Sequence, residues 1–250
     1  MSAAAIDPKS LPVPRVTVNP WLIAIVVALA SFMEVLDTTI ANVALPYIAG
    51  GMGVSEDEAS WVVTSYLVSN AIILTASSFL AKMLGRKTFF LICLGIFTVS
   101  SILCGFAPNL NALLLFRILQ GLGGAMMTPV GRLVLLRSVD KSALVNAMAW
   151  VTVPALIGPV IGPPLGGFIT TYFSWHWIFL INIPIGLLGI FLALKYIDPI
   201  KSEDPERFDL MGLVLAGIGL AGIAFGLSVA GLNLLPWPIV AALVGVGSIS

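Results

Sequence analysis

Charge is what this sequence lacks most. Only 10% of its 250 residues are charged and 59% are hydrophobic, whereas an ordinary soluble domain has roughly 25% charged and 45–50% apolar residues. A soluble fold of this composition would expose large apolar patches and aggregate. The formal net charge is zero, so binding to nucleic acid has no electrostatic support. These shortages predict an integral membrane protein.

Cysteine and histidine are also scarce, with two Cys and one His. Cys93 and Cys104 are eleven residues apart in one apolar run, about 16 Å along a helix, which is too far for a disulfide. Without a Cys/His cluster, the sequence indicates no metal site and no cofactor. It has no nucleophile–base pair and no phosphate-binding loop either, so it predicts neither an enzyme nor an ATP-driven pump.

The sequence contains several long apolar runs. A helix needs about 20 mostly apolar residues to cross a bilayer. The runs predict seven such spans, at residues 21–46, 59–81, 88–106, 110–131, 144–170, 177–195 and 209–231. An eighth run starts near Trp237 and reaches Ser250 after about 14 residues, which is too short to cross. We therefore expect the chain to be the N-terminal part of a longer protein.

The expected fold class is all-α and membrane-integral. Residues 1–20 contain four prolines and no apolar run, so they predict a cytoplasmic tail and not a cleaved signal peptide. Residues 21–197 predict a bundle of six transmembrane helices, and 198–208 a cytoplasmic loop. Residues 209–250 predict one complete further helix and the start of a truncated eighth.

Basic residues lie on alternate loops of this arrangement. Eleven of the twelve Lys and Arg residues precede span one or lie between spans two and three, four and five, or six and seven: Lys9, Arg15, Lys82, Arg86, Lys87, Arg132, Arg137, Lys141, Lys195, Lys201 and Arg207. The opposite loops carry Glu56, Asp57, Glu58 and His176 instead. The positive-inside rule predicts a cytoplasmic N-terminus, and we expect the inner (plasma) membrane as the location.

Three ionisable residues lie inside predicted spans: Glu34 and Asp37 in span one and Arg117 in span four. Each costs about 3 kcal/mol on insertion scales, so such residues persist where they pair or line a wet cavity. At i, i+3 spacing the two acids face the same side of their helix. Counted from the predicted span ends at about 1.5 Å per residue, Glu34 and Arg117 lie at the same depth, with Asp37 one turn away.

Two interpretations of these charges stay open. An ion pair between spans one and four, if these are neighbours, either fixes the register of the helices or belongs to a site that titrates a proton or recognises a cation. Burial disfavours the charge of a carboxylate and a nearby arginine favours it. A group under both influences can take up and release a proton as access to the site alternates.

Span five, VTVPALIGPVIGPPLGGFIT, has four prolines and four glycines within 14 residues. Proline removes a helical hydrogen bond and kinks the helix, and glycine at four-residue spacing lets another helix approach closely. The segment fits the pattern G-x-x-x-G-P-x-x-G-G at every fixed position, which are Gly158, Gly162, Pro163, Gly166 and Gly167. With this motif the sequence resembles the major facilitator superfamily, and within it the 14-helix drug:proton antiporters of the EmrB/QacA type.

Further motifs carry the same resemblance over about residues 21–230. LDTTIANVALP is similar to the family's first-helix motif, with Asp37 at the acidic position. LLFRILQGLGGA is similar to the fourth-helix motif R-x-x-Q-G, with Arg117 and Gln120 matching, and the resemblance implies a role in proton coupling for this arginine. WHWIFLINIPIG matches the sixth-helix signature except that His176 replaces the usual Arg. The resemblance implies a major facilitator fold, of which this chain holds the N-terminal six-helix bundle.

The loop SFLAKMLGRKTFF departs from the pattern of that superfamily. Gly85, Arg86 and Lys87 match its cytoplasmic gating loop, but Lys82 stands where an aspartate is usual. In the family that aspartate helps to lock the two halves together, and a lysine cannot play an anionic role. An equally open interpretation is that these basic residues only serve the positive-inside rule.

The resemblance implies proton-driven export of amphipathic or lipophilic compounds, with protons, small-molecule substrates and the lipid bilayer as partners. The alternatives are a proton symporter of a small polar metabolite and a membrane scaffold or receptor. The span-five motif favours antiport over symport, and a scaffold would gain nothing from three costly buried charges. Some family members also engage a periplasmic adaptor and an outer-membrane channel, which the resemblance leaves open here.

Overall fold

A computed structural model describes residues 20–74, 76–139 and 143–197, with isolated positions between 211 and 245. These three ranges contain helices and no strand: α1 (Pro20–Met52), α2 (Glu56–Leu74), α3 (Ser77–Leu84), α4 (Arg86–Gly105), α5 (Leu110–Ser138), α6 (Leu144–Tyr172), α7 (Trp177–Leu180) and α8 (Asn182–Tyr196). The predicted all-α class is confirmed. The predicted tail, the 198–208 loop and nearly all of spans seven and eight lie outside the described residues.

Five segments of the described part are long and apolar enough to cross a membrane: Trp21–Met52, Arg86–Gly105, Leu110–Leu136, Leu144–Tyr172 and Trp177–Tyr196. They coincide with predicted spans one, three, four, five and six. The helices α2 and α3 occupy the place of span two, which was predicted as a single helix over 59–81. At their junction the Ala76 N–H donates to the Ile73 carbonyl in a tight turn (3.0 Å).

Span six is interrupted as well. The helix α7 ends at Leu180 and α8 begins at Asn182. Pro184 explains the break, because it has no N–H to donate to the Leu180 carbonyl, as a continuous helix would require. Ile181, between the two helices, keeps helical dihedral angles (φ −61°, ψ −23°). The span predicted over 177–195 is therefore interrupted in its hydrogen bonds, and Asn182 lies in the first turn of α8.

The helices α1 and α5 are longer than the spans predicted for them. The 33 residues of α1 measure about 50 Å, against a hydrocarbon core of about 30 Å. Pro46, where predicted span one ended, lies inside α1. The helix α5 extends to Ser138, so Arg132, which was predicted to lie in a loop, is on the helix with an exposed side chain.

A capping box fixes the start of α2. The Ser55 N–H and hydroxyl both donate to Oε2 of Glu58 at 2.9 Å, and the Glu58 N–H donates to Ser55 Oγ at 3.2 Å. These bonds satisfy groups that the first turn would leave free. The backbone N–H of Ser55, followed by its hydroxyl, holds the pKa of Glu58 below its usual value. Glu56 and Asp57 add negative charge at the positive end of the helix dipole.

The helix α1 lies at the centre of the packing and contacts α2, α5, α6, α7 and α8, while α4 packs against α5 and α8. Two apolar clusters fill the interior. One includes Met33 on α1 and Ala125 on α5, and the other includes Ile40 on α1 and Leu113 on α5. Polar residues that lie between these positions on α1 and α5 are therefore enclosed from both ends.

Glycines just after Arg117 bring α5 close to its neighbours. A Cβ atom on Gly121 would collide with Ser69 Oγ and the Tyr66 carbonyl on α2, and one on Gly123 would lie 2.8 Å from the Cys93 carbonyl oxygen on α4. Small residues allow helix backbones to approach this closely. The Gly-rich stretch of α5 thus draws both α2 and α4 against the segment that carries Arg117.

Candidate functional site

The candidate site is centred on an ion pair between α1 and α5. Arg117 Nη1 donates to Asp37 Oδ2 at 2.6 Å. The exposed fraction of the whole residue is 0% for Arg117 and 2% for Asp37. Both charges are therefore withdrawn from the surface, and a pair so buried is stable only when further hydrogen bonds satisfy its remaining polar atoms.

Amide and hydroxyl side chains supply those bonds. Gln120 Nε2 donates to Asp37 Oδ1 (3.0 Å) and to Ser101 Oγ (2.7 Å), while Gln120 Oε1 accepts from Arg117 Nη1 (2.7 Å). Asn182 Nδ2 also donates to Asp37 Oδ1, at 2.7 Å. All five side chains are buried. We call Asp37, Ser101, Arg117, Gln120 and Asn182 the Asp37 centre; it joins α1, α4, α5 and α8.

The guanidinium group also lies against two aromatic rings and a backbone carbonyl. Arg117 Cζ lies 4.4 Å from the centroid of the Tyr66 ring and 5.5 Å from that of Phe179, and Arg117 Nε donates to the Val62 carbonyl at 3.0 Å. Cation–π contacts and a backbone acceptor both stabilise a charge away from water. Two buried atoms of the centre have no hydrogen-bond partner, Arg117 Nη2 and Asn182 Oδ1.

Glu34 is not part of this centre. Its Oε2 accepts a hydrogen bond from Thr128 Oγ1 at 2.7 Å, and Thr128 in turn lies 3.1 Å from Ser31 Oγ. The side chain is half-buried, and Asn70 on α2 lies within reach of it. We call Ser31, Glu34, Asn70 and Thr128 the Glu34 cluster.

The sequence-based depth estimate was therefore wrong in one respect. It set Arg117 level with Glu34, whereas the arginine pairs with Asp37, one turn further along α1. The reason is that α1 and α5 are both much longer than the bilayer core is thick. Distances counted from their ends do not measure depth to better than a turn.

The glycines of the span-five motif face α1. A Cβ atom would lie 3.0 Å from Val35 Cγ1 if placed on Gly158, 2.6 Å from Thr39 Cγ2 on Gly162, and 3.2 Å from Ile40 Cγ2 on Gly166. The motif thus packs α6 on the segment of α1 that carries Glu34 and Asp37. Pro163 is exposed and a Cβ on Gly167 meets no atom within 4 Å, so these two positions do not belong to the contact.

The predicted gating loop lies far from the Asp37 centre. Gly85 joins α3 to α4 with φ of 79°, a conformation that favours glycine. Lys87 Nζ donates to the Leu194 carbonyl near the end of α8 (3.0 Å), and Lys82 is in the last turn of α3. From Arg86 at the start of α4 to Ser101 is about 22 Å along the helix. Any effect of the loop on the centre must act through the helices.

Sequence reasoning missed five residues of these two groups: Ser31, Asn70, Ser101, Thr128 and Asn182. Asn182 offered a signal, because it is a lone amide in the apolar stretch FLINIPIG, and an intramembrane polar residue usually finds a partner. Ser101 and Thr128 gave none, since Ser and Thr satisfy themselves on the helix backbone in many spans.

An apolar cavity of about 440 Å³ adjoins the break in span six. Its walls include Leu165, Phe168 and Ile169 of α6, and Trp177, Ile181 and Pro184 of α7, the break and α8. Among the described residues no group of three or more His, Cys, Asp or Glu side chains could hold a metal ion.

Comparison with known families agrees with this architecture. The family model of the Major Facilitator Superfamily matches residues 27–249. The chain belongs to this superfamily. The resemblance to this superfamily that was inferred from the motifs is thereby confirmed.

The chain is also similar in sequence to curated proteins of two bacteria. The MdtD proteins of Yersinia enterocolitica and Yersinia pestis, both named for multidrug resistance, are 44% identical to this chain over 202 residues. The match covers 81% of this chain and 43% of each relative. The chain therefore spans less than half the length of these relatives.

Solved structures show the same fold. The peptide transporter PepTSo of the POT family aligns over 92% of this chain and 53% of its own, with a TM-score of 0.66 at 16% identity. A bacterial homologue of the human lysosomal transporter Spinster covers 92% of this chain and 60% of its own, with a TM-score of 0.58 at 16% identity. At such identities the likeness concerns the fold alone, and it confirms the predicted major facilitator fold.

The α1–α6 contact gives a prediction about stability. We expect Gly162→Ala to lower the free energy of unfolding by about 1–3 kcal/mol relative to Gly167→Ala, the cost of overpacking a close contact. Thr39 cannot easily move aside, because it is β-branched and its hydroxyl donates to the Val35 carbonyl at 2.7 Å. Denaturant unfolding of the two full-length variants in mixed micelles measures the difference. Equal stability of the two would contradict this packing.

Proposed function

We propose that the full-length protein exports amphipathic and lipophilic compounds in exchange for protons, by alternating access around a site near the middle of the membrane. The observation that carries this proposal is the buried pair of Asp37 and Arg117. A buried ion pair adds little stability over apolar residues of the same size, so its presence favours a working role. The relatives named for multidrug resistance support the class of substrate.

Protonation of Asp37 would change the contacts between three helices at once, α1, α5 and α8. The ionised carboxylate accepts hydrogen bonds from α5 and α8 and balances the charge of Arg117. The protonated acid carries no charge and has an O–H that must itself donate. A buried cation is then left without a counter-ion, which is strongly unfavourable. In this scheme a proton taken up from outside loosens α1 from α5, and its release inside restores the pair.

Glu34 is our candidate for recognising the charge of a substrate. Its carboxylate is half-buried, and the hydrogen bonds to it come from two neutral groups, the Thr128 hydroxyl and the Asn70 amide. A cationic compound could pair with it without displacing another cation from the contact. The apolar cavity beside α7 is a candidate surface for the uncharged parts of such compounds.

We also propose a cytoplasmic N-terminus and an inner-membrane location. Lys87 contacts Leu194, the neighbour of Lys195, which supports placing basic residues of two predicted inner loops at one end of the bundle. At the other end of α1, Gly51 packs against Trp175, next to His176. A periplasmic adaptor and an outer-membrane channel are proposed partners that co-purification with the full-length protein would test.

The first functional prediction concerns Asp37. Asp37→Asn should abolish proton-driven export while leaving membrane insertion intact, because the amide is nearly the same size but does not take up a proton. The measurement is ethidium transport into liposomes that contain the full-length protein, driven by an imposed pH gradient. Asp57→Asn, on the exposed start of α2, is the matched control and should transport normally. Normal gradient-driven transport by Asp37→Asn would refute the proposed coupling site.

Glu34 should matter for cations more than for neutral compounds. A hydrogen bond to a charged group contributes about 1.5–3 kcal/mol, so Glu34→Gln should weaken binding of a lipophilic cation by roughly tenfold to a hundredfold. Binding of a neutral lipophilic compound should change little. Glu58→Gln, in which the amide oxygen can still accept from Ser55, is the control. Losses of equal size for both compounds would argue against charge recognition at Glu34.

Removal of Arg117 should stop proton release on substrate binding. Loss of one partner of a buried pair costs about 3–5 kcal/mol if the other stays charged, so Asp37 in Arg117→Ala would hold its proton instead. Arg117→Lys keeps the charge but not the planar set of donors, so it should release an intermediate amount. Proton release on ethidium binding in detergent is measured across pH for the full-length variants.

Lys195→Ala, which removes an exposed cation at the end of α8, serves as the control for Arg117 and should behave as wild type. Wild-type proton release from Arg117→Ala would mean that the arginine only fixes helix packing.

A further inference from the structure

Asn182 contacts the proposed proton-binding group directly. Its Nδ2 donates to Asp37 Oδ1 at 2.7 Å and lies 3.4 Å from Ser101 Oγ. The residue is fully buried, and its Oδ1 has no hydrogen-bond partner. The opposite orientation of the amide would set that oxygen against a carboxylate, which only accepts hydrogen bonds. Ionised Asp37 therefore determines which way the Asn182 amide points.

The proton on a neutral Asp37 has one favourable place. Oδ2 faces the guanidinium of Arg117, which has donors and no acceptor. The proton therefore belongs on Oδ1, where two amide N–H groups, from Gln120 and Asn182, now point at it. An O–H facing two N–H groups has no acceptor, so one of the two amides must turn and present its oxygen.

Gln120 is not free to turn. Its Oε1 accepts from Arg117 Nη1 at 2.7 Å and lies 3.7 Å from Cys104 Sγ, while its Nε2 donates to Ser101. Reversing this amide would set its N–H groups against those of the arginine. Asn182 is held less firmly, because its oxygen has no hydrogen-bond partner and the bond that its Nδ2 donates to Ser101 Oγ is long (3.4 Å).

We propose that Asn182 reports the protonation state of Asp37 to α8. When Asp37 is ionised, Asn182 donates to its Oδ1; when Asp37 is protonated there, the amide turns and its oxygen accepts the acid O–H. The proton comes from water on one side of the membrane and stays on Asp37, and Asn182 neither gains nor loses one. Asn182 is thus a positioning residue, and its role rests on the proton coupling proposed above.

The break in span six lets such a change affect the helix. Asn182 is in the first turn of α8, and Pro184 provides no N–H to tie this turn to α7. A change in the contacts of the Asn182 side chain therefore acts on a turn that has one backbone bond fewer to α7 than a continuous helix would have. Ile181 and Pro184, on either side of it in sequence, line the apolar cavity, so a molecule in that cavity touches the same turn.

Among the described residues, four titratable groups interact electrostatically with Asp37: Arg117 on α5, Tyr66 on α2, Cys104 on α4 and Glu34 on α1. The described titratable side chains of α6 to α8 lie near the ends of those helices, and are Tyr172, His176, Lys195 and Tyr196. The uncharged Asn182 is what α8 places against the carboxylate.

Infrared spectroscopy of the full-length protein in detergent tests the proposal. The C=O band of protonated Asp37 is the band that Asp37→Asn removes, and it is followed through a pH titration of wild type, Asn182→Leu and Asn42→Leu. Asn42 is the matched control, since it is an amide on α1 that donates to the Thr38 carbonyl of its own helix.

We expect the Asp37 band to move to higher frequency in Asn182→Leu, because the acid O–H loses its acceptor, and to stay in place in Asn42→Leu. The midpoint of the titration should move by less than about one pH unit, since Asn182 bonds to both protonation states. Ethidium transport driven by a pH gradient should fall in Asn182→Leu alone. Asn182→Ser, whose side chain is too short to reach Asp37, gives the same comparison if the leucine variant does not fold.

An unchanged band overturns the proposal in either of two ways. If the titration midpoint of Asp37 rises by about one pH unit or more in Asn182→Leu, Asn182 is a fixed donor to the charged form. If the midpoint is also unchanged, Asn182 does not affect the protonation of Asp37. If no carboxyl band of wild type depends on Asp37 and titrates, the proposed proton coupling itself fails. If the Asp37 band titrates but does not change in Asn182→Leu, only the role proposed for Asn182 is refuted.

Discussion

Arg117 imposes the constraint on which the rest of the interior depends. Its charge is fully withdrawn from the surface, and no arginine can be deprotonated to avoid the cost. The fold meets this cost with one carboxylate, one amide oxygen, one backbone carbonyl and two aromatic faces. These groups come from α1, α2, α5 and the segment around α7. Gly121 and Gly123 allow α2 and α4 to pack closely on α5 beside the segment that carries this cation.

The span-five motif acts on the same region from the opposite side. Gly158, Gly162 and Gly166 form a seam against α1, so α6 is set against the helix that carries both carboxylates. The prolines of the motif lie within a helix that continues from Leu144 to Tyr172. The physical content of the motif in this half of the fold is therefore a close helix contact.

Sequence alone predicted much of this, for identifiable reasons. Apolar runs of bilayer length indicated the membrane helices, and Asp37 and Arg117 were conspicuous because charge is so costly there. The break at Ile181 was hidden, although Pro184 was its visible cause. The pairing of Arg117 with Asp37, and not Glu34, depends on helix tilt and length, which hydropathy does not encode. The hydroxyls of Ser101 and Thr128 are recognisable only once the helices are placed side by side.

The two carboxylates of α1, Glu34 and Asp37, differ in what it would cost to break their contacts. Asp37 pairs with the buried cation of Arg117. Breaking this pair would leave a buried charge without a counter-ion. Glu34 is held by the Thr128 hydroxyl, which can rotate to another acceptor. The two residues are three positions apart on one helix. Asp37 has a fixed ion-pair partner, whereas the hydrogen-bond partner of Glu34 can be exchanged. One turn of α1 thus carries one carboxylate paired with a buried cation and another held by neutral hydrogen-bond donors.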